Sequence, residues 1–140
     1  MSELGERAVI SLAGLPHFLV YLAVSLALLA AFALIYMWVT PHRELTLIRA
    51  GNTAASISFG SALLGFAIPL AMSVFQSHDL VDMVAWAVVA LIVQIAAFFV
   101  CGFLVGHESQ RITEGETASA TFLAFTSVAA GVITAACMTY

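Results

Sequence analysis

A chain of 140 residues is long enough for one soluble domain or for four membrane spans with short connections. Composition excludes the first: 63% of the residues are hydrophobic, 9% are charged and the mean hydropathy is +1.09, whereas a soluble surface needs about a quarter charged residues. The net charge of −4 carries no lysine, only Arg7, Arg43, Arg49 and Arg111, and the absence of any basic stripe excludes nucleic-acid binding.

Met1 to Gly14 carries Glu3 and Glu6 around Arg7, without a basic leader or a small-residue cleavage site, so the first apolar run reads as a retained span. A helix crossing the hydrocarbon needs about 20 mostly apolar residues. The first such stretch is His17 to Val39, ended by the Thr40-Pro41 step, since the residue before proline is pushed out of the helical region. The second is Thr53 to Phe75, the third Met83 to Gly106 and the fourth Thr117 to Met138; none contains Asp, Glu, Lys or Arg. The alternating segments of about 10 residues that mark membrane barrels are missing.

The first and third connections hold Arg43, Arg49 and Arg111, against Arg7 on the other side. The positive-inside rule then places these connections in the cytoplasm and both termini in the periplasm. Tyr36 and Trp38 would mark the inner interface, and Tyr21, Trp86 and Tyr140 the outer one. Cys101 and Cys137 fall near opposite faces, too far apart for the ~7 Å Cα limit of a disulfide.

An internal repeat is visible. Ile48-Arg49-Ala50-Gly51-Asn52-Thr53-Ala54-Ala55 lies over Ile112-Thr113-Glu114-Gly115-Glu116-Thr117-Ala118-Ser119, which sets the first span over the third and the second over the fourth. The expected fold is all-α: four transmembrane helices as two parallel-related helical hairpin repeats. It is one transmembrane domain over 1–140, with repeats at about 15–75 and 83–140. In each copy a glycine elbow feeds a polar cap. Glu44 to Ala50 forms a short interfacial helix that Gly51 stops by turning left-handed, and Asn52 or Thr53 caps the next span; Gly115 with Glu116 or Thr117 repeats the device. With Arg49 and Arg111 close by, the paired elbows are expected to form a weakly anion-attracting face that meets a partner or anionic headgroups, Glu116 opposing the effect.

These residues resemble the YjfL family of bacterial inner-membrane proteins, built from a repeated domain of unknown function of DUF350 type. The likeness rests on Thr40-Pro41-His42 through Glu44, Leu47-Ile48, Asn52-Thr53-Ala54-Ala55-Ser56 and Leu63-Leu64-Gly65. It continues with Ile68-Pro69-Leu70, Ala85-Trp86 with Ile92 and Gln94, and Ala135 to Thr139. It implies a four-span protein of the inner membrane and supplies no catalytic residue. Genes of such proteins resemble neighbours of phage-shock-type membrane-remodelling proteins, which implies an envelope-stress role or a membrane-stress protein partner.

Small residues recur on one stripe of each even span: Ser56, Gly60, Ala67 and Ala71, and Ala120, Ala124, Gly131 and Ala135. This spacing lets helix backbones approach, so spans two and four are expected to meet along these stripes. Gln94, near the midplane, needs a hydrogen-bond partner on another helix. Pro69 removes a helical hydrogen bond and should kink span two near Gly65. Ser58, Ser61, Thr121, Thr126, Ser127 and Thr134 either line a wet path or bond back to their own helices. Glu44 and Glu114 read as interfacial charges. His17, His42, His78 and His107 sit at span ends or in connections, and His78 with Asp79 and Asp82 reads as a solvated turn rather than a metal site. No catalytic residue, cofactor or metal is expected. The expected function is a non-catalytic, self-associating scaffold that works with the lipid bilayer and copies of itself. The alternative is a small oligomeric channel or transporter; the lack of any ionisable residue in a span weakens an ion-driven transporter but leaves a passive pore standing.

The arginine asymmetry makes a direct prediction. A reporter active only in the periplasm should be active when fused after Tyr140, and one active only in the cytoplasm should be silent there. The reverse pattern would invert the topology.

Overall fold

The computed structural model describes residues 2–40, 44–106 and 108–138. Expectations resting on Pro41, His42, Arg43, His107, Thr139 and Tyr140 fall outside the described residues. All regular structure among the described residues is helical: α1 Glu3–Ala13, α2 Leu15–Val39, α3 Glu44–Arg49, α4 Thr53–Gln76, α5 Leu80–Val105, α6 Glu108–Thr113 and α7 Thr117–Cys137. Helices α2, α4, α5 and α7 are the four long enough and apolar enough to cross a membrane.

Each boundary has a local cause. Thr40 is extended ahead of Pro41, and its hydroxyl donates back to the Tyr36 carbonyl at 2.8 Å, closing the end of α2. Asn52 caps α4 by accepting from the Ala55 amide at 3.0 Å. Asp79 caps α5 by accepting from the Asp82 amide at 2.8 Å, while Asp82 accepts from the His78 amide at 3.2 Å. The carboxylates of that turn are thus spent on the start of α5. The N-terminal helix α1 has no counterpart among the expected elements; Ser2 caps it, accepting from Gly5 at 3.4 Å, and Gly14 separates it from α2.

Helix α4 is the hub. It packs most extensively on α7 and also touches α5, α2, α3 and α6. Its buried face is Ala54, Ala55, Ser58, Ala62, Gly65, Phe66, Pro69, Leu70 and Ser73. The closest approach comes at Gly65 and Gly131. A Cβ on Gly65 would lie 2.5 Å from the Ser127 carbonyl oxygen, and one on Gly131 would run into the Gly65 carbonyl. This corrects the expected stripe on α4. Ser56, Gly60 and Ala71 are exposed, Ala67 is half-buried, and nothing lies within 4 Å of a Cβ built on Gly60. On α7, Ala120, Gly131 and Ala135 are buried and Ala124 half-buried. Pro69 and Phe66 choose the buried face of α4, because their packing and hydrogen-bonding needs outrank the spacing of small residues.

Helix α2 joins the bundle through aromatic rings. Phe32 stacks on Phe66 with centroids 4.7 Å apart, and Tyr36 meets Phe98 edge-on at 5.2 Å and Phe59 at 5.7 Å. The Tyr36 hydroxyl shares a hydrogen bond with Ser58 at 3.0 Å. Tyr36 is therefore a buried clamp between α2, α4 and α5, not the interfacial marker expected, whereas Trp38 is 86% exposed. In hydrocarbon, where apolar burial gains little, such ring packing and buried hydrogen bonds hold helices together.

Gly65→Ala and Gly131→Ala should each cost about 1–3 kcal/mol by overpacking two backbones. Gly60→Ala, with open space at its Cβ, should stay within about 0.5 kcal/mol. Unfolding in detergent, compared across the three variants, checks the order.

Candidate functional site

The polar centre of the bundle lies midway along three spans. In a helix the carbonyl of residue 65 would accept from the amide of residue 69, but Pro69 has no N–H. The Gly65 carbonyl is left without its helical partner, in a medium where a lone carbonyl costs several kcal/mol. Gln94 of α5 supplies the missing donor. Its Nε2 donates to Gly65 O at 2.5 Å and to Ser127 O at 3.2 Å, so one amide joins α4, α5 and α7. Gln94 is 3% exposed. The arrangement needs glycine at 131 as well, because a side chain there would occupy the space of the Gly65 carbonyl and of the Gln94 amide.

The hydroxyls near this centre are tied down. Ser61 donates to Ser58 O at 2.9 Å, Ser73 to Leu70 O at 2.7 Å, Thr126 to Phe122 O at 2.9 Å and Thr134 to Ala130 O at 2.6 Å. Ser58 is taken by Tyr36, and Thr121 is exposed. Three of the six candidate hydroxyls for a wet path, Ser61, Thr126 and Thr134, thus bond back to their own helices, as side chains of this kind do in apolar surroundings. At one end of the bundle an open apolar groove of about 320 Å³ is lined by His17, Phe18, Tyr21, Leu22, Ser25 and Val74. The Ser25 hydroxyl already donates to Tyr21 O at 2.6 Å, and the His17 and Tyr21 rings face each other at 4.3 Å.

The two elbows lie at the other end. Gly51 takes a φ of 88° and Gly115 one of 82°. Gly51 N–H donates to Ile48 O and Asn52 N–H to Leu47 O at 3.0 and 2.9 Å; Gly115 and Glu116 donate to Ile112 O and Arg111 O, both at 2.9 Å. Both turns close by the same pair of bonds, which a left-handed glycine makes possible. The caps differ. Asn52 accepts from α4 through Oδ1, and its Nδ2 donates to Ile112 O at 3.0 Å and Thr113 O at 3.2 Å, tying the start of α4 to the end of α6. Glu116 has no donor to return and makes no side-chain cap; its carboxylate lies 3.7 Å from Arg111. Gly51, Thr53, Gly115 and Thr117 are exposed, as is Arg49.

For the anion-attracting face this geometry is unfavourable: Asn52 already uses a free amide of α4, and Arg111 faces Glu116 within the chain. Sequence reasoning also misses Glu44, which reads as an interfacial charge but is 1% exposed where α3 folds onto α4. Its place in the first turn of a short helix gives no sign of which way that turn faces. The second partner of Asn52 is equally unreadable, since tertiary structure alone brings the end of α6 to it.

Comparison with known proteins agrees with the architecture. Residues 10–138 match the family model described as Domain of Unknown Function (DUF350). The chain is 35% identical over 123 residues to the UPF0719 inner membrane protein YjfL of Escherichia coli K12, covering 88% of this chain and 93% of that protein. It is 26% identical over 104 residues to the UPF0719 transmembrane protein YshE of Bacillus subtilis, covering 74% and 73%. No solved structure matches.

Gln94→Leu should leave the Gly65 carbonyl unmet and cost about 1–2 kcal/mol, the upper range for polar contacts between membrane helices. Pro69→Ala restores an N–H to that carbonyl, so the double variant should lose less than Gln94→Leu alone. A double-mutant cycle in detergent reads the coupling; equal losses with and without Pro69 would deny it.

Proposed function

The chain belongs to the DUF350 family of membrane proteins, and we propose that it is a non-catalytic, self-associating scaffold of the bacterial inner membrane. The observation that carries this reading is the lipid-facing side of α4. The central helix of the bundle turns Ser56, Gly60 and Ala71 outward, and among the described residues nothing packs within 4 Å of a Cβ at Gly60. Small residues let two backbones come close, and in a bilayer close packing is the main source of helix association. The stripe thus suits a second copy of α4 rather than α7. Two hairpin repeats, both termini in the periplasm and a membrane-stress partner belong to the same reading. The arginine-bearing elbow side would then face the cytoplasm.

A channel or transporter is the weaker reading. At the midplane Gly65 abuts Gly131 and the Gln94 amide is spent on two carbonyls. A path through a single bundle would have to break that contact, so a pore would have to form between copies.

Gly60→Leu separates folding from association. In liposomes of decreasing protein density, the wild-type chain should cross-link to itself through Ala71→Cys in a Cys137→Ala background. Adding Gly60→Leu should weaken the association about tenfold, equivalent to about 1.4 kcal/mol, with unchanged thermal stability. A wild-type chain that stays monomeric at high density would end the scaffold reading, and ion or dye flux across the same liposomes would favour the channel.

A further inference from the structure

We propose that α1 is a surface-docking helix that lies in the membrane interface and binds zwitterionic lipid through its apolar side. From Glu3 to Val39 the helical stretch runs to 37 residues, which at 1.5 Å per residue is about 55 Å long. Even at a tilt of about 40°, crossing an apolar core of about 30 Å uses about 26 residues. Helix α2 supplies 25. All of α1 is therefore left beyond the core, at the level of the headgroups.

What α1 carries is unsuited to water. Leu4, Ala8 and Leu12 recur four residues apart, with Gly5 and Val9 beside them, while Glu3, Glu6 and Arg7 share the opposite side. Ile10 is the one large apolar residue on the charged side. Leu4, Val9 and Leu12 are 79%, 61% and 63% exposed, and no helix but α2, which follows it, makes more than slight contact with α1. Continued as a straight rod, α1 would hold this stripe in water. Folded onto the membrane surface, it buries the stripe among acyl chains and leaves its charges among headgroups, the usual arrangement of an interfacial helix.

The joint permits the turn. Gly14 sits at φ −80° and ψ −6°, and its amide turns to Ser11 O, at 3.4 Å, and Leu12 O instead of the Ile10 carbonyl that a regular helical turn would use. Pro16, two residues on, has no N–H to offer the Leu12 carbonyl. The backbone bonds that would keep α1 in line with α2 are therefore weakened at two neighbouring positions.

The charges name the lipid. With Glu3 and Glu6 against Arg7, α1 has more acid than base and gains nothing from anionic headgroups. Its binding rests on apolar burial, so zwitterionic lipid suffices and salt has little effect. Most of α1 precedes residues 10–138, which match the family.

The test uses the full chain in phosphatidylcholine liposomes, in a Cys137→Ala background that leaves the buried Cys101 in place. An environment-sensitive probe is attached in turn at Glu3→Cys, Leu4→Cys, Glu6→Cys, Ala8→Cys, Ile10→Cys and Leu12→Cys. Lipid-borne quenchers should dim the probes at 4, 8 and 12 at least about twofold more than those at 3, 6 and 10, and a water-borne quencher should give the reverse. The pattern should persist from low to high salt. Quenching from water at all six positions would mean that α1 projects from the membrane. Shielding of 4, 8 and 12 from both quenchers would mean that protein covers them. Loss of the pattern in salt would mean that charge holds it. Each of these three results would overturn the proposal.

Discussion

The fold turns on one carbonyl. Pro69 takes away the donor that Gly65 O would have had, and the hydrocarbon offers no water to replace it. Gln94 meets the need from α5, and once it does, little else is free to vary. The amide must also reach Ser127 O, which sets the register of α7. The carbonyl must have room, which makes residue 131 a glycine. With α4 held by that face, Phe66 and Ser58 point towards α2, where Phe32 and Tyr36 receive them. A single unmet hydrogen bond thus orients four helices.

Much of this is legible in the sequence. The limits of the spans follow from apolar length and the absence of charge. The elbows follow from glycine before a cap residue, and the need of Gln94 for a partner follows from its depth. The face of α4 is not legible in the same way. Small residues are so common in that span that several stripes satisfy the same spacing. The deciding residue, Gly65, becomes visible only when the missing amide of Pro69 is traced back four positions. Tyr36 misleads for a related reason: an aromatic residue near a span end satisfies either an interface or an interior, and only the facing Ser58 and Phe98 decide between them. Helix α1 is hidden because Ile10 and Gly5 blur its two sides.

The two elbows show how alike backbones can serve unlike purposes. Gly51 and Gly115 close their turns with the same bonds, yet the residue that follows is an amide in one and a carboxylate in the other. An amide both accepts and donates, so Asn52 can cap its own helix and hold another. A carboxylate has no N–H with which to hold a second helix, and Glu116 faces Arg111 without capping α7. The link between the halves at this end therefore runs in one direction, from Asn52 to the carbonyls that end α6.

The bond from Gln94 to Gly65 also bears on how the chain comes to be built. Newly inserted, α4 carries an unmet carbonyl and α5 an unmet amide at the same depth, and only a short capped turn, Ser77, His78 and Asp79, separates them in the chain. Each meets the need of the other directly, and neither half of that bond comes from α7. Phe32 and Tyr36 of α2 meet Phe66 and Ser58 of α4 in the same way. These contacts join spans that follow one another in the chain, whereas α7 packs chiefly on α4, a helix made well before it.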